Sequence, residues 1–281
     1  MKRYILSAVA AIQFILSGCG SVLMVEVSNP SDIDRDTELI EVSLDDIKSR
    51  LKIQDGESFI LKDGAVEVPY QQTYDGKVVF PAQLKAQQVK SYRFCKGTPA
   101  EVVTKVCGDH YPKRVDDLCW ENDLIGFRTY GFKEDAPSGY DIFTKRSTDL
   151  PVIPEFYRRA KDPKLTKIHK QLKKTDKRAA DRFNWDSLSF HVDHGYGCDV
   201  YAVGPTLGAG TTALLDGEDI VYPFCYDKFE ILDDGPLRFT IKLTFRPFNL
   251  GEKENIVETR IISLDLGTYF NKTEISFENL D

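Results

Sequence analysis

Residues 237–245 read Leu237-Arg-Phe-Thr-Ile-Lys-Leu-Thr-Phe245, and this stretch decides the fold class. Apolar and polar side chains alternate without a fault, which is the period of a β-strand and not of a helix. The pattern predicts a half-buried strand with one polar face. Just before it, Asp233-Asp234-Gly235-Pro236 supplies a turn. Just after it, "NIVETRIISLDL" (255–266) reads as another strand, in which Glu258 and Arg260 share parity and leave the same face.

The pattern extends towards the N-terminus. "ILKDGAVEVPYQQTYDGKVVFPA" (60–82) holds two Asp-Gly turns between short β-branched and aromatic runs, a hairpin signature. "AQQVKSYRF" (86–94) continues it. Residues 24–97 are therefore expected to form a small β unit and 98–281 the main β region. No fixed repeat and no long amphipathic helix is visible, so the expected class is all-β, with antiparallel sandwich-like sheets.

The chain opens "MKRYILSAVAAIQFILSGCGSV". Lys2 and Arg3 precede an apolar run that is too short to span a bilayer and reads as a secretory signal, residues 1–18. Leu16-Ser17-Gly18-Cys19 resembles a bacterial lipobox, which predicts lipidation at Cys19, with 19–23 as anchor and linker. The expected location is the cell envelope, lipid-anchored, and facing the periplasm because "GSVLM" after Cys19 lacks an acidic run. A net charge of −7 argues against a nucleic-acid partner. Besides Cys19 there are Cys95, Cys107, Cys119, Cys198 and Cys225, with no Cys-x-x-Cys pair. Buried free thiols are expected, with Cys107–Cys119 the candidate disulfide.

Chemistry-bearing residues gather in three places. Between Glu155 and Arg182 there are eleven Lys or Arg against four Asp or Glu. That segment reads as a solvated loop or short helix, or as a positive arm beside a site for an anion. The blocks "DHYPKRVDDLCWENDLIGFRTYG" (109–131) and "SGYDIFTKR" (138–146) form the second group. Their carboxylates Asp116, Asp117, Glu121 and Asp123, with Asn122, could hold calcium, although the spacing is not that of an EF-hand. No cofactor is required by the sequence. Trp120, Tyr130 and Tyr140 offer flat faces suited to a sugar ring, or belong to the core. Arg114, Lys145 and Arg146 could pair with a substrate carboxylate or with neighbouring acids.

The third group is "FHVDHGYGCDVYAVGPTLGAG" (190–210), with His191, Asp193, His194 and Asp199 among five glycines. An imidazole with an ordinary pKa near 6.5 suits proton transfer near neutral pH. The expected catalytic set is His194 as base or acid, His191 or Tyr140 as its counterpart, and Asp193 as the orienting group. The expected substrate-binding set is Arg114, Asp117, Trp120, Glu121, Asp141, Lys145, Arg146, Glu258 and Arg260. His191 and His194 would diverge on a regular strand, so convergence requires a turn at Gly195. "GPTLGAG" lacks the Lys-Ser/Thr ending of a phosphate loop and reads as a tight turn permitting close backbone approach. A zinc site at the histidine pair would want a third ligand, for which only Asp193 or the distant His110 could serve.

"YPKRVDDLCWENDLIGFRTYG", "GYDIFTKR", "HVDHGYGCDVYAVGPTLGAG", "VYPFCYDKFEILDDGPLRFTIKLTF" and "VETRIISLDLGTYFNKTEIS" resemble, in order, the successive blocks of the domain of unknown function 4861 family of bacterial lipoproteins. The resemblance implies a galactose-mutarotase-like supersandwich and a place among polysaccharide-utilisation clusters. It also implies further strands beyond "NKTEIS", so a sheet lacking its C-terminal strands is expected. The functional expectation is a protein acting on a sugar or uronate-containing glycan as lyase, hydrolase or epimerase. The alternatives are a non-catalytic glycan-binding lipoprotein and a structural envelope protein.

Overall fold

A computed structural model describes residues 22–131, 139–149, 151–204, 206–222 and 224–280, together with the two-residue strand Ala10–Ala11. The expected signal segment, lipidation at Cys19 and most of the 19–23 linker lie outside the described residues. Among the described residues strands hold 45% and helices 16%, so the expected all-β class holds and the helices are additions to it. Among the described residues no helix is long and apolar enough to cross a membrane.

The chain divides into two compact units. The first comprises Met1–Thr104 with Gly235–Arg238 and Asp265–Gly267. One of its sheets runs Val22–Ser28, Val89–Lys96, Phe59–Asp63, Val66–Val68, all antiparallel. The other runs Arg35–Ser43, Lys77–Leu84, Gln71–Gln72. Both expected Asp-Gly turns are present, at Asp63-Gly64 and Asp75-Gly76, where the paired strands end. Val25, Leu61 and Phe94 from one sheet meet Ile40, Val42 and Phe80 from the other in one buried cluster. Each such side chain contributes about 1.5–3 kcal/mol by leaving water. Helix α1 (Leu44–Leu51) adds Ile47 and Leu51 to this core, and Ser43 caps it by accepting from the Asp46 amide.

The decisive strand is Arg238–Thr244, paired with Lys228–Asp234 and neighbouring Lys253–Asp265. Phe239, Ile241 and Leu243 are fully buried, as the alternation requires. The expected polar face is solvated only in part: Lys242 and Thr244 are partly exposed, whereas Arg238 and Thr240 are buried. Within the first unit, Arg238 meets Glu41 at 2.7 Å and Asp265 at 2.5 Å. Gln71 accepts from the Leu237 and Arg238 amides and donates to the Arg238 carbonyl. Thr240 meets Ser263 at 3.2 Å. These partners let polar side chains leave water without an unmet charge or hydrogen bond.

The second unit comprises Lys105–Asp234, Phe239–Leu264 and Thr268–Asp281. Its first sheet runs in the order Gly197–Asp199, Asp141–Lys145, Ile125–Tyr130, Asp117–Glu121, Cys107–Tyr111, with every neighbour antiparallel. Every residue of Asp117–Glu121 is buried. The second sheet pairs Lys253–Asp265 with Lys272–Glu278.

The basic segment is neither a loop nor one short helix but three helices: α2 (Ile153–Ala160), α3 (Pro163–Thr175) and α4 (Lys177–Leu188). Asp162 and Asp176 cap α3 and α4 by accepting backbone N–H bonds, and Pro163 opens α3 with its φ already set. Helix α3 fully buries none of its residues; Leu165, Ile168 and Leu172, spaced three and four apart, form only a narrow apolar stripe among lysines, too weak to have been read as a helix. The five described cysteines are free thiols. Cys107 and Cys119 lie on adjacent strands, but the register sets Cys119 opposite Asp109 and Cys107 opposite Glu121, which rules against the candidate bridge.

Candidate functional site

A cleft of the second unit has a volume of about 500 Å³, within the roughly 300–1,000 Å³ of small-ligand sites. Strand Cys107–Tyr111 and the turn after it contribute His110, Tyr111, Lys113 and Arg114. The helical insert contributes Tyr157, Lys161 and Asn184, and the chain leaving α4 contributes Phe190 and His191. Two imidazoles and three cationic side chains therefore line the cleft, with no carboxylate among the lining residues. Helix α2 reaches the cleft because its apolar face packs Ile153 and Phe156 into a cluster with Phe143 and Phe190.

Each imidazole is anchored at one nitrogen. His110 Nε2 lies 2.8 Å from Asp116 Oδ1, and His191 Nδ1 lies 2.7 Å from the Asp199 carbonyl oxygen. Carboxylate and carbonyl oxygens accept, so the neutral rings carry their protons on the anchored nitrogens, an assignment made from the bonding pattern. The opposite nitrogens, His110 Nδ1 and His191 Nε2, are then proton acceptors. The His110 ring packs on Phe229 and the His191 ring stacks on the half-exposed indole of Trp185. Asp116 adopts φ +56°, an uncommon conformation for a residue with a side chain. Tyr226 donates to its carbonyl, and a Cβ on Gly131 would collide with its carboxylate.

A buried polar network lies behind the cleft. Asp117 accepts from Tyr157 at 2.6 Å, from Arg114 at 2.9 Å and from the Val115 amide at 3.2 Å. Burial raises the Tyr157 hydroxyl far above its ordinary value, so it stays protonated and donates. Arg128, also buried, donates to Asp141 and, at 2.8 Å, to Asp199, while Tyr130 donates to Asp141. Burial raises the Asp199 carboxyl above the usual carboxylate range, with Arg128 opposing the shift. Phe190 is shared between cleft and network, with Arg114 5.3 Å and Arg128 5.7 Å from its ring centroid.

The predicted site residues are thus distributed over several places. Arg114 and His191 line the cleft, and Asp117 and Asp141 sit in the network behind it. Glu121 and Lys145 form a buried ion pair at 2.6 Å, and Glu121 also accepts from the Val152 and Ile153 amides at the start of α2. Trp120 is core, stacked on Phe127 and Phe239 with its indole N–H donating to Asn271. It presents no face to a ligand. Tyr140 is buried beside Trp120 and accepts from Arg260, which also pairs with Glu258 at 2.5 Å and donates to Thr211. The shared parity of Glu258 and Arg260 is thus used by their bond to each other. Gly208 approaches the Tyr140 backbone so closely that a Cβ would collide with it, as the reading of "GPTLGAG" expects.

Asp193 pairs with exposed Arg146 and accepts from the Gly195 and Gly197 amides, which makes it the staple of a surface turn. The turn exists, with Gly195 at φ +104°. It does not bring His194 into the cleft with His191; His194 packs near Tyr196, its Nε2 buried without a hydrogen-bond partner among the described residues. Burial, and then the nearby Arg159, hold its imidazole below the ordinary value. Among the described residues no group of three or more His, Cys, Asp or Glu could hold a metal ion. Asp116, Asp117 and Glu121, three of the carboxylates considered for calcium, face His110, Arg114, Tyr157 and Lys145.

Residues the sequence left out of the site include His110, Tyr111, Lys113, Tyr157, Lys161 and Asn184. For Tyr157 and Lys161 the excess of positive charge in 155–182 was the sequence signal, and the insert's helices are what turn part of it into a wall of the cleft.

No solved structure matches the chain. It is similar to "Uncharacterized protein P7" of Formosa agariphila, at 26% identity over 311 residues covering 100% of this chain and 71% of that protein. The family described as "Domain of unknown function (DUF4861)" matches residues 27–281, and the chain belongs to that family.

Proposed function

We propose that the second unit takes an anionic, uronate-class saccharide into the His110–His191 cleft of an envelope lipoprotein, and that the two imidazoles supply acid–base chemistry there. The observation that carries this reading is a cleft lined by His110, His191, Lys113, Arg114 and Lys161 without a carboxylate, in a chain whose net charge is −7. Local charge of that sign favours an anion over a neutral ligand. Tyr111, stacked on Tyr157 at 3.5 Å, offers an apolar lining suited to the C–H face of a sugar.

In a β-elimination, Arg114 and Lys161 would face the uronate carboxylate and so acidify the proton on the adjacent ring carbon. One imidazole nitrogen would take that proton, and the other ring, in its protonated form, would donate to the departing glycosidic oxygen. The carbon–oxygen bond breaks as the ring double bond forms. Two such roles are supported by both rings lining the same cleft while each is held at one nitrogen, which leaves the other nitrogen uncommitted to those bonds.

The test is incubation of the protein with uronate-containing and neutral oligosaccharides. Ultraviolet absorbance of an unsaturated uronate is expected, and His110→Gln should lower turnover by about 10²–10⁴-fold with binding little changed. New reducing ends without that absorbance would indicate a hydrolase. Binding with no product would indicate a glycan-binding protein, and no binding of any uronate would overturn the reading.

A further inference from the structure

Helix α3 carries Lys164, Lys167, Lys170, Lys173 and Lys174, all exposed, and not one carboxylate. Among the described residues no ion pair engages any of these lysines, whereas Arg158 pairs with Glu155 on α2 and Arg182 with Asp186 on α4. At 3.6 residues per turn, Lys164, Lys167, Lys170 and Lys174 fall within about a third of the helix circumference, along about 15 Å of its axis. Lys167, Lys170 and Lys174 line a shallow groove of about 380 Å³ with Thr166 and Gln171. The stripe starts beside the cleft. Lys161, two residues before α3, lines the cleft and holds its ammonium 5.9 Å from the centroid of the Tyr111 ring. Asp162, between Lys161 and α3, commits its carboxylate to the Lys164 and Leu165 amides.

We infer that α3 is a track for a polyanionic saccharide of which one unit occupies the cleft, so that the ligand is a polymer with anionic groups on successive sugars rather than a single acidic sugar. The inference rests on the cleft reading above and deepens it. Like charges at helical spacings of three and four weaken a helix, and among the described residues no ion pair offsets them, Asp162 alone acting on Lys164 from the start of the helix. A chain of regularly spaced anions is the ligand that would. An anionic membrane surface fits less well, because a helix lying in a bilayer interface exposes a broad apolar face. Ile168 is the one large apolar residue of α3 that is exposed.

The test compares a galacturonate disaccharide with long oligogalacturonates on the unaltered protein and on Lys167→Gln/Lys170→Gln/Lys174→Gln, a change that keeps good helix formers on α3. Affinity for the unaltered protein should rise with oligomer length. The triple variant should lose roughly tenfold for the long oligomers, the sum of several exposed charge pairs, and nothing for the disaccharide. Retained length dependence in the variant would overturn the track while leaving the cleft reading intact. Failure of the disaccharide to bind the unaltered protein would overturn both. Vesicles of phosphatidylglycerol form a further arm: lysine-dependent vesicle binding with unchanged oligomer binding would assign the stripe to a membrane instead.

Discussion

His194 sits three residues from His191, and yet the two rings meet different surroundings. His191 faces the cleft with one nitrogen fixed by a carbonyl, whereas His194 buries Nε2 unpaired. Burial first, then Arg159, hold the His194 imidazole below its ordinary 6.5. The native ring therefore binds a proton less readily than the unfolded ring does. Above about pH 6.5 both are neutral; as pH falls through that value the unfolded chain takes up the proton first, and stability declines until the lower native value is passed. Urea titrations at about pH 7 and about pH 5 should show that decline shrinking in His194→Gln. An equal decline in variant and parent would assign the sensitivity to other groups.

Helix α2 depends on a carboxylate delivered by a strand. Glu121 ends the strand Asp117–Glu121, accepts from the first amides of α2 and neutralises Lys145, both side chains being buried. Glu121→Gln keeps an amide acceptor for α2 but leaves the Lys145 ammonium without a counter-charge. The expected cost is about 3–5 kcal/mol, as for other buried pairs broken from one side. Adding Lys145→Met should recover much of it, because the uncompensated charge is then gone. Chemical denaturation of the single and double variants measures both. If the single variant is as stable as the parent, the pair does not hold this element. The stake is functional as well, since α2 delivers Tyr157 and positions Lys161 at the cleft.

At the scale of the molecule, the residues of the cleft and of the α3 lysine stripe belong to the second unit alone. A ligand bound there stabilises the state that binds it, by about 2.7 kcal/mol at a hundredfold excess over its Kd. Native-state hydrogen exchange with a long oligogalacturonate should therefore show slower exchange across Lys105–Asp234, with strand Cys107–Tyr111 and helix α2 among the protected segments. Amides of the sheet containing Val89–Lys96 in the first unit should exchange as before. Protection confined to the first unit would place the ligand elsewhere.

The alternation of Leu237–Phe245 and the Asp-Gly turns at 63–64 and 75–76 were enough to establish the β class, because strand period and turn chemistry are local properties of consecutive residues. The ordered blocks also carried the family. Local pattern could not report which polar residues would be buried. Arg238, Asp117 and Glu121 leave water only because partners distant in sequence, Glu41, Tyr157 and Lys145, arrive beside them. Nor could spacing choose between His191 and His194. A single turn sends one ring to the cleft and the other towards Tyr196, and the cleft exists only where the helical insert meets the strand of His110. Residue types were thus written in the chain, but their convergence was decided by tertiary packing, since a site is a set of distances that sequence neighbours do not determine.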